Sequence, residues 1–124
     1  MGILTTLKTF ILANVQNAGN IYFNFQPDIT ENCIILWQYD GIQSSVGLRP
    51  QVQISVKNKN MQTAETLIMA IYNAIYPKGQ YEKTIRMGQE TLKIVPRQSP
   101  FYLEKDENDR HIYVFNIDIL QKRS

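Results

Sequence analysis

Apolar residues recur at helical spacing in two segments of the chain. In the first segment they are Ile3, Leu4, Leu7, Ile11 and Val15. In the second, residues 61–75, the same spacing follows Asn60, a residue type that is favoured at helix N-termini. The pattern predicts two amphipathic helices. The first should end near Gly19 and the second at Pro77, because glycine permits a left-handed turn and proline cannot continue a helix.

Strand patterns fill most of the remaining chain. The clearest is in residues 51–57, where Val52, Ile54 and Val56 alternate with polar residues. The other strand candidates are residues 21–25, 33–39, 82–87, 90–95, 101–104 and 111–120. The last two flank a polar turn at 105–110 and predict a hairpin, whereas residues 41–49 are expected to form a loop.

These elements predict an α+β fold in which a mainly antiparallel sheet is flanked by two helices. The expected order is α-β-β-β-α-β-β-β. A chain of 124 residues is long enough for one continuous core, and no repeat or linker interrupts it. We therefore expect residues 1–124 to form a single domain.

Two of the strand candidates are apolar on both faces. Residues 33–37 have this character, and in the last strand Ile112 and Val114 lie opposite Tyr113 and Phe115. Two helices can cover only one face of such a sheet, so we expect apolar surface on the other face, as is typical of a contact site. This predicts self-association. The alternative is that residues 41–49 fold back over that face.

Composition and charge narrow the classes of function. Hydrophobic residues make up 44% of the chain and charged residues 19%, values that are usual for a folded globular protein. The formal charge of +2 gives no general attraction to nucleic acid. A nucleic-acid-binding regulatory module stays open as an alternative, because Lys83, Arg86, Lys93 and Arg97 lie near tyrosines, although acidic residues interrupt them. No stretch reaches the roughly 18 apolar residues that a membrane span needs, and residues 1–18 are expected to be mature structure rather than a signal peptide.

Few residues offer catalytic or metal-binding chemistry. His111 is the one histidine and Cys33 the one cysteine, and neither lies in a recognisable nucleophile motif. We expect Cys33 to be a buried small residue and His111 an ordinary strand residue. The acidic residues from Glu104 to Asp109 lack the glycine and terminal glutamate of a calcium loop and are expected to form a solvated turn. We therefore expect no catalytic residues, no cofactor and no metal.

Several stretches together resemble a known family. They are the segment PRQSPFYL at 96–103 followed by DENDRHIYVFN at 106–116, NCIIL at 32–36 with YDG at 39–41, and RPQVQISVKNK at 49–59. The chain resembles a minor capsid protein family of phages and prophages of Gram-positive bacteria. The C-terminal motif is its most specific part.

The resemblance implies a role close to that of the tail terminators of long-tailed phages. Such a protein forms a ring, expected to be a hexamer, that caps the tail tube and docks to the head connector. The implied partners are other copies of the chain, the tail tube protein and the head connector or head-closure protein, with DNA only in transit through the lumen and no membrane. The implied location is the virion at the head–tail interface, and the host cytoplasm during assembly. A head-closure or connector component is the neighbouring alternative.

A ring requires one patch of a subunit to meet a different patch on the next copy. We expect Ile112 and Val114 to supply apolar area to that contact. Arg49, Arg97 and Arg110 are candidates for fixing its register through bidentate pairs with carboxylates of a neighbouring subunit. The alternative for each arginine is a surface salt bridge of about 0–1 kcal/mol. Residues 41–49 or the turn at 106–110 would then reach toward the tube or connector.

Overall fold

The helical and alternating patterns produce two helices and seven strands in the part of the chain that the structure describes. The structure is a computed structural model, and it describes residues 2–24, 32–44, 47–77, 80, 82–87 and 90–123. The elements are α1 (Ile3–Asn14), β1 (Ile21–Phe23), β2 (Cys33–Ser44), β3 (Gly47–Asn58), α2 (Met61–Ile75), β4 (Lys83–Met87), β5 (Glu90–Pro96), β6 (Phe101–Lys105) and β7 (His111–Arg123). The α+β class and the predicted order of elements are confirmed, and the four strand segments predicted after α2 form β4 to β7, one strand more than the written order contains.

The second helix begins where the sequence predicts. Asn60 caps α2: its side-chain oxygen accepts a hydrogen bond of 2.9 Å from the backbone N–H of Thr63. At its other end, α2 gives way to a non-helical Tyr76 just before Pro77. The first helix ends at Asn14, five residues before Gly19, which has a φ of +78° in the connection to β1.

The sheet has the strand order β1-β2-β3-β7-β5-β4, and β6 pairs separately with β7. Only the pairing of β1 with β2 is parallel among the described strands. With 13 residues, β7 is long enough to serve two partners on one edge. Its first half pairs with β6 and its second half with β5.

The expected loop at 41–49 is wrong, because β2 and β3 continue through most of it as a long hairpin. Ile42 pairs with Arg49, and Ser44 pairs with Gly47. The register shifts by one residue at Pro50, so that two residues of β2 face one of β3. A bulge of this kind accommodates proline, which has no N–H for the ladder. Ser44 and Gly47 resemble loop residues in sequence, although their backbone continues the ladder.

One face of the sheet packs against the helices and forms the main core. Its buried residues are Ile34, Leu36, Val52, Ile54, Val56, Tyr113, Phe115, Ile117 and Ile119, and they pack with Leu7, Ile11, Ile68, Ile71 and Ile75 of the helices. The apolar periodicities of strands and helices thus meet in one cluster.

The second face of the sheet, which carries Ile35, Ser55, Lys57, Ile112 and Val114, is also buried at these positions. Val114 is 0% exposed and Ile112 is 5% exposed in the single chain. The expectation that a lone copy leaves them exposed is therefore wrong.

The side chain of Arg110, the residue directly before β7, lies along one end of this face. Its Nη1 is 3.9 Å from the sulfur of Cys33 on β2, and β3 lies between these two strands. The long arginine side chain therefore crosses the second face and covers one end of it. Strand alternation alone does not reveal a side chain that spans two neighbouring strands.

Candidate subunit interface

The turn between β6 and β7 is organised by the carboxylate of Asp106. One of its oxygens accepts hydrogen bonds from the backbone N–H groups of Asn108 (3.0 Å) and Arg110 (2.9 Å). The other oxygen accepts a bond of 2.9 Å from Nε of Arg110 and lies 2.9 Å from Nη2. Asp109 adopts a left-handed φ of 61°, which aspartate tolerates better than most residues. The acidic segment is therefore a closed turn with an internal ion pair.

These contacts lower the pKa of Asp106. Burial alone would raise it, but the backbone and side-chain hydrogen bonds from Arg110, the backbone bond from Asn108 and the charge of Arg110 outweigh that effect. The neighbouring Lys57 is also affected: burial, and then the charge of Arg110, lower its pKa. Arg110 thus holds a carboxylate ionised and disfavours a second cation beside it.

The five residues expected at an interface have different surroundings. Arg110 is fully buried and bound to Asp106 of its own chain, so its charge is already matched within the subunit. Ile112 and Val114 are core residues of the single chain. Arg97 is exposed, with Nε 3.8 Å from a carboxylate oxygen of Asp118. Arg49 lies in β3, opposite Ile42, and its side chain is outside the described part.

The structure shows a group of exposed apolar residues on β6 that was not predicted from the sequence. All five residues of β6 are exposed, and Phe101, Tyr102 and Leu103 are large hydrophobic residues at 39%, 38% and 50% exposure. β6 is paired only with β7 among the described strands, so it is an edge strand. Natural edge strands are usually protected by charge, proline or a covering element. The signal available in sequence was three adjacent apolar residues directly after Pro100.

On the side of the sheet that faces the helices, aromatic contacts join β6 to β7. Tyr102 packs edge-on against Tyr113 with ring centroids 5.2 Å apart, and its hydroxyl lies 3.1 Å from Nδ1 of His111. The hydroxyl of Tyr113 in turn donates a 3.2 Å hydrogen bond to Glu65 on α2. His111 is thus a strand residue in an aromatic group, as expected, and β6 is attached firmly to the domain.

Two concave regions lie elsewhere on the described surface. One, of about 610 Å³, lies between the end of α1 and the start of α2 and is lined mainly by asparagine, glutamine and threonine, with Lys57 and Cys33 at its wall. The other, of about 500 Å³, lies around Arg97 and is lined also by Tyr39, Gln51, Gln53, Gln98 and Asn116. Both surfaces offer mainly neutral hydrogen-bonding groups, together with one basic side chain each. No group of three or more potential metal ligands occurs among the residues described.

Three of the basic residues considered for nucleic-acid binding, Lys83, Lys93 and Arg97, have contacts within the chain. Lys93 forms an ion pair of 3.0 Å with Glu82, and Arg97 has Asp118 nearby. Lys83 lies over the ring of Phe10, with Nζ 5.5 Å from its centroid. These contacts reduce the positive charge that a nucleic-acid surface would need.

Within the described ranges, no helix has the length and apolar character needed to cross a bilayer.

The described surface offers an exposed apolar strand edge and neutral polar grooves, which are the features of a structural protein that works by contact. The chain belongs to the bacteriophage tail terminator protein family, whose model matches residues 6–123. The tail terminator resemblance is therefore confirmed, and the protein is a structural component of a phage tail. The finer description as a minor capsid protein stays a prediction. A comparison with curated proteins gave no match.

Proposed function

We propose that this protein forms a ring, with six subunits, that caps the finished tail tube and docks to the head connector. The observation that supports this most directly is the family match, which spans nearly the whole chain. Its partners would be further copies of the chain, the tail tube protein and the head connector or head-closure protein. DNA would pass through the lumen without tight binding, in keeping with a formal charge of +2.

In this proposal the protein acts without catalysis, as one domain, in the host cytoplasm during assembly and in the virion afterwards. Arg97 could fix the register of this contact, since 43% of its side chain is exposed and the carboxylate oxygen of Asp118 is 3.8 Å from its Nε. Arg49 would act from the β2–β3 hairpin. Arg110, Ile112 and Val114 would support the contact from inside the subunit, by holding the β6–β7 hairpin and the second face in place.

The test is assembly in solution and on tails. Mass would be measured by light scattering over a range of protein concentrations, and rings would be sought by electron microscopy. The protein would then be mixed with purified tails that lack a terminator. We expect sixfold rings, alone or on one end of each tail, and tubes that no longer elongate.

Tails that already carry a terminator are the matched control and should not bind the protein. Absence of rings together with absence of binding to bare tail ends would overturn the proposal. Binding to the connector of filled heads, with no binding to tails, would instead favour a head-closure component. Salt-dependent retention on DNA would favour the nucleic-acid-binding alternative.

A further inference from the structure

The edge strand β6 and the opposite edge strand β1 lie at the same level of the sheet. The pairings form one row across it, from Ile21 through Ile34, Val56 and Tyr113 to Tyr102. The next row runs from Tyr22 through Ile35, Ser55 and Val114 to Phe101. The two edges therefore face away from each other at equal height, with three strands between them.

The directions of the two edge strands are opposite. β1 is parallel to β2, and each following step to β3, β7 and β6 is antiparallel. Suppose that a second copy is placed beside the first by a rotation about an axis parallel to the strands. Its β1 would then lie antiparallel to β6 of the first copy. Antiparallel pairing is the arrangement that most of this sheet already uses.

The backbone of β1 has donors and acceptors directed outward. The carbonyl of Asn20 accepts a 2.9 Å bond from Ile34, and the N–H of Asn24 donates a 3.0 Å bond to Leu36. Residues that bond to β2 alternate along a parallel strand, so the peptide groups of Ile21 and Phe23 point to the other side. No described strand pairs with that side of β1 or with the outer side of β6.

The two edges also differ in charge. Residues 101–111 contain four acidic and two basic side chains, whereas residues 2–24 contain one basic side chain, Lys8, and no acidic one. The Nζ of Lys8 lies over the ring of Phe23 in β1, 5.8 Å from its centroid. An acidic hairpin beside an edge that carries a cation is electrostatically favourable and would disfavour contact between two β6 hairpins.

We propose that β6 of one copy adds to β1 of the next, so that the sheets of neighbouring subunits are continuous around the ring. The occupant of the β6 edge is a second copy of this chain, and the contact is heterologous, as a closed ring requires. Phe101 would lie beside Tyr22 and Tyr102 beside Ile21, whereas Leu103 lies at the register shift between Tyr102 and Glu104. The inference rests on the proposed function, because it identifies the contact by which the ring forms.

The first test removes the apolar edge without touching the core. In the double variant Phe101→Lys, Leu103→Lys, both changed residues are exposed, so the subunit should keep its melting temperature and circular dichroism. We expect the concentration for half-assembly to rise about 100-fold, since buried apolar anchors dominate interface energies. The matched control is Val95→Lys, Met61→Lys, at residues of 37% and 46% exposure outside both edges. It should assemble like the wild type.

The second test is cross-linking between two singly substituted proteins. Phe101→Cys mixed with Tyr22→Cys should give a disulfide-linked heterodimer on mild oxidation, while the wild-type Cys33 is buried and should stay unreacted. Phe101→Cys alone should give no dimer, and neither should its mixture with Met69→Cys.

The outcomes separate the two proposals. If the β6 double variant still forms rings at the wild-type concentration, or if Phe101→Cys forms homodimers, the edge-to-edge contact is overturned and the proposal of a ring is left intact. Rings of the variant that form normally but fail to bind tails would assign β6 to the tube and also overturn it. A wild type that makes no rings and no cross-link, alone or on tails, would remove both proposals.

Discussion

Arg110 has no exposed surface, and its charge is balanced by a carboxylate four residues earlier in the chain. The pair joins a local turn to the sheet, because Asp106 caps the turn while Arg110 extends over β3 to Cys33. Buried pairs of this kind add little when formed but cost much when one partner is removed. Arg110 was expected to face a neighbouring subunit, but in the structure it stabilises the fold of its own subunit.

Replacing Asp106 with Asn should therefore destabilise the subunit. We expect the free energy of unfolding to fall by about 3 kcal/mol, because the buried guanidinium of Arg110 loses its countercharge. Urea unfolding followed by circular dichroism would measure it. Asp109→Asn is the matched control, since Asp109 is exposed and only 3.8 Å from Lys105, and it should change stability by less than about 0.5 kcal/mol. Equal effects of the two variants would contradict the role given to Asp106.

The same pair should make stability depend on acid. The pKa of Asp106 is lowered in the folded chain by its hydrogen bonds to Arg110 and Asn108. Its contribution is therefore complete above its ordinary pKa of 3.8 and is lost as the pH falls through the lower folded value. Below about pH 4 the wild type should lose stability more steeply than Asp106→Asn. Parallel pH profiles of the two proteins would contradict this.

At the scale of elements, a local sequence signal decided where α2 begins, and pairing decided how long the strands are. Asn60 caps α2 with a hydrogen bond to Thr63, as its residue type predicts. The β2–β3 hairpin, in contrast, continues through residues that read as a loop, with a bulge at Pro50. A cap depends on four consecutive residues, whereas the length of a strand depends on a partner that is distant in sequence.

Asn60→Ala should remove the cap of α2. We expect a loss of about 1 kcal/mol in the free energy of unfolding, because the N–H of Thr63 then lacks its acceptor. Chemical denaturation would measure the loss. Asn60→Ser keeps a side-chain acceptor at this position and should recover most of the stability. An alanine variant as stable as the serine variant would show that the cap contributes nothing.

For the molecule as a whole, the decisive feature is that both faces of the central strands are buried in one chain. Val114 lies on the face away from the main core and is nevertheless 0% exposed. The exposed apolar residues lie instead on β6 and at scattered positions. Association would therefore use the rim of the sheet rather than its second face.

Val114→Asp tests this distribution. A charge at a fully buried position should abolish folding of the subunit or reduce its stability by more than about 4 kcal/mol. Val95→Asp is the matched control, because Val95 also lies in a strand but is 37% exposed, and it should fold normally. Thermal melting of the two variants at low concentration would distinguish them. A folded Val114→Asp monomer that fails only in assembly would restore the second face as an interface.

The amino-acid sequence by itself determined the class of fold, the two helices, the order of elements and the burial of Cys33, because these follow from local periodicity and local capping. Its C-terminal motif also led to the family that the comparison confirmed. Which apolar residues remain exposed was decided only in the tertiary structure. Val114 and Phe101 are both apolar strand residues and are paired with each other, yet one is in the core and the other on an open edge. Periodicity reports the direction of a side chain relative to its own strand, whereas exposure depends on what the rest of the folded chain places over it.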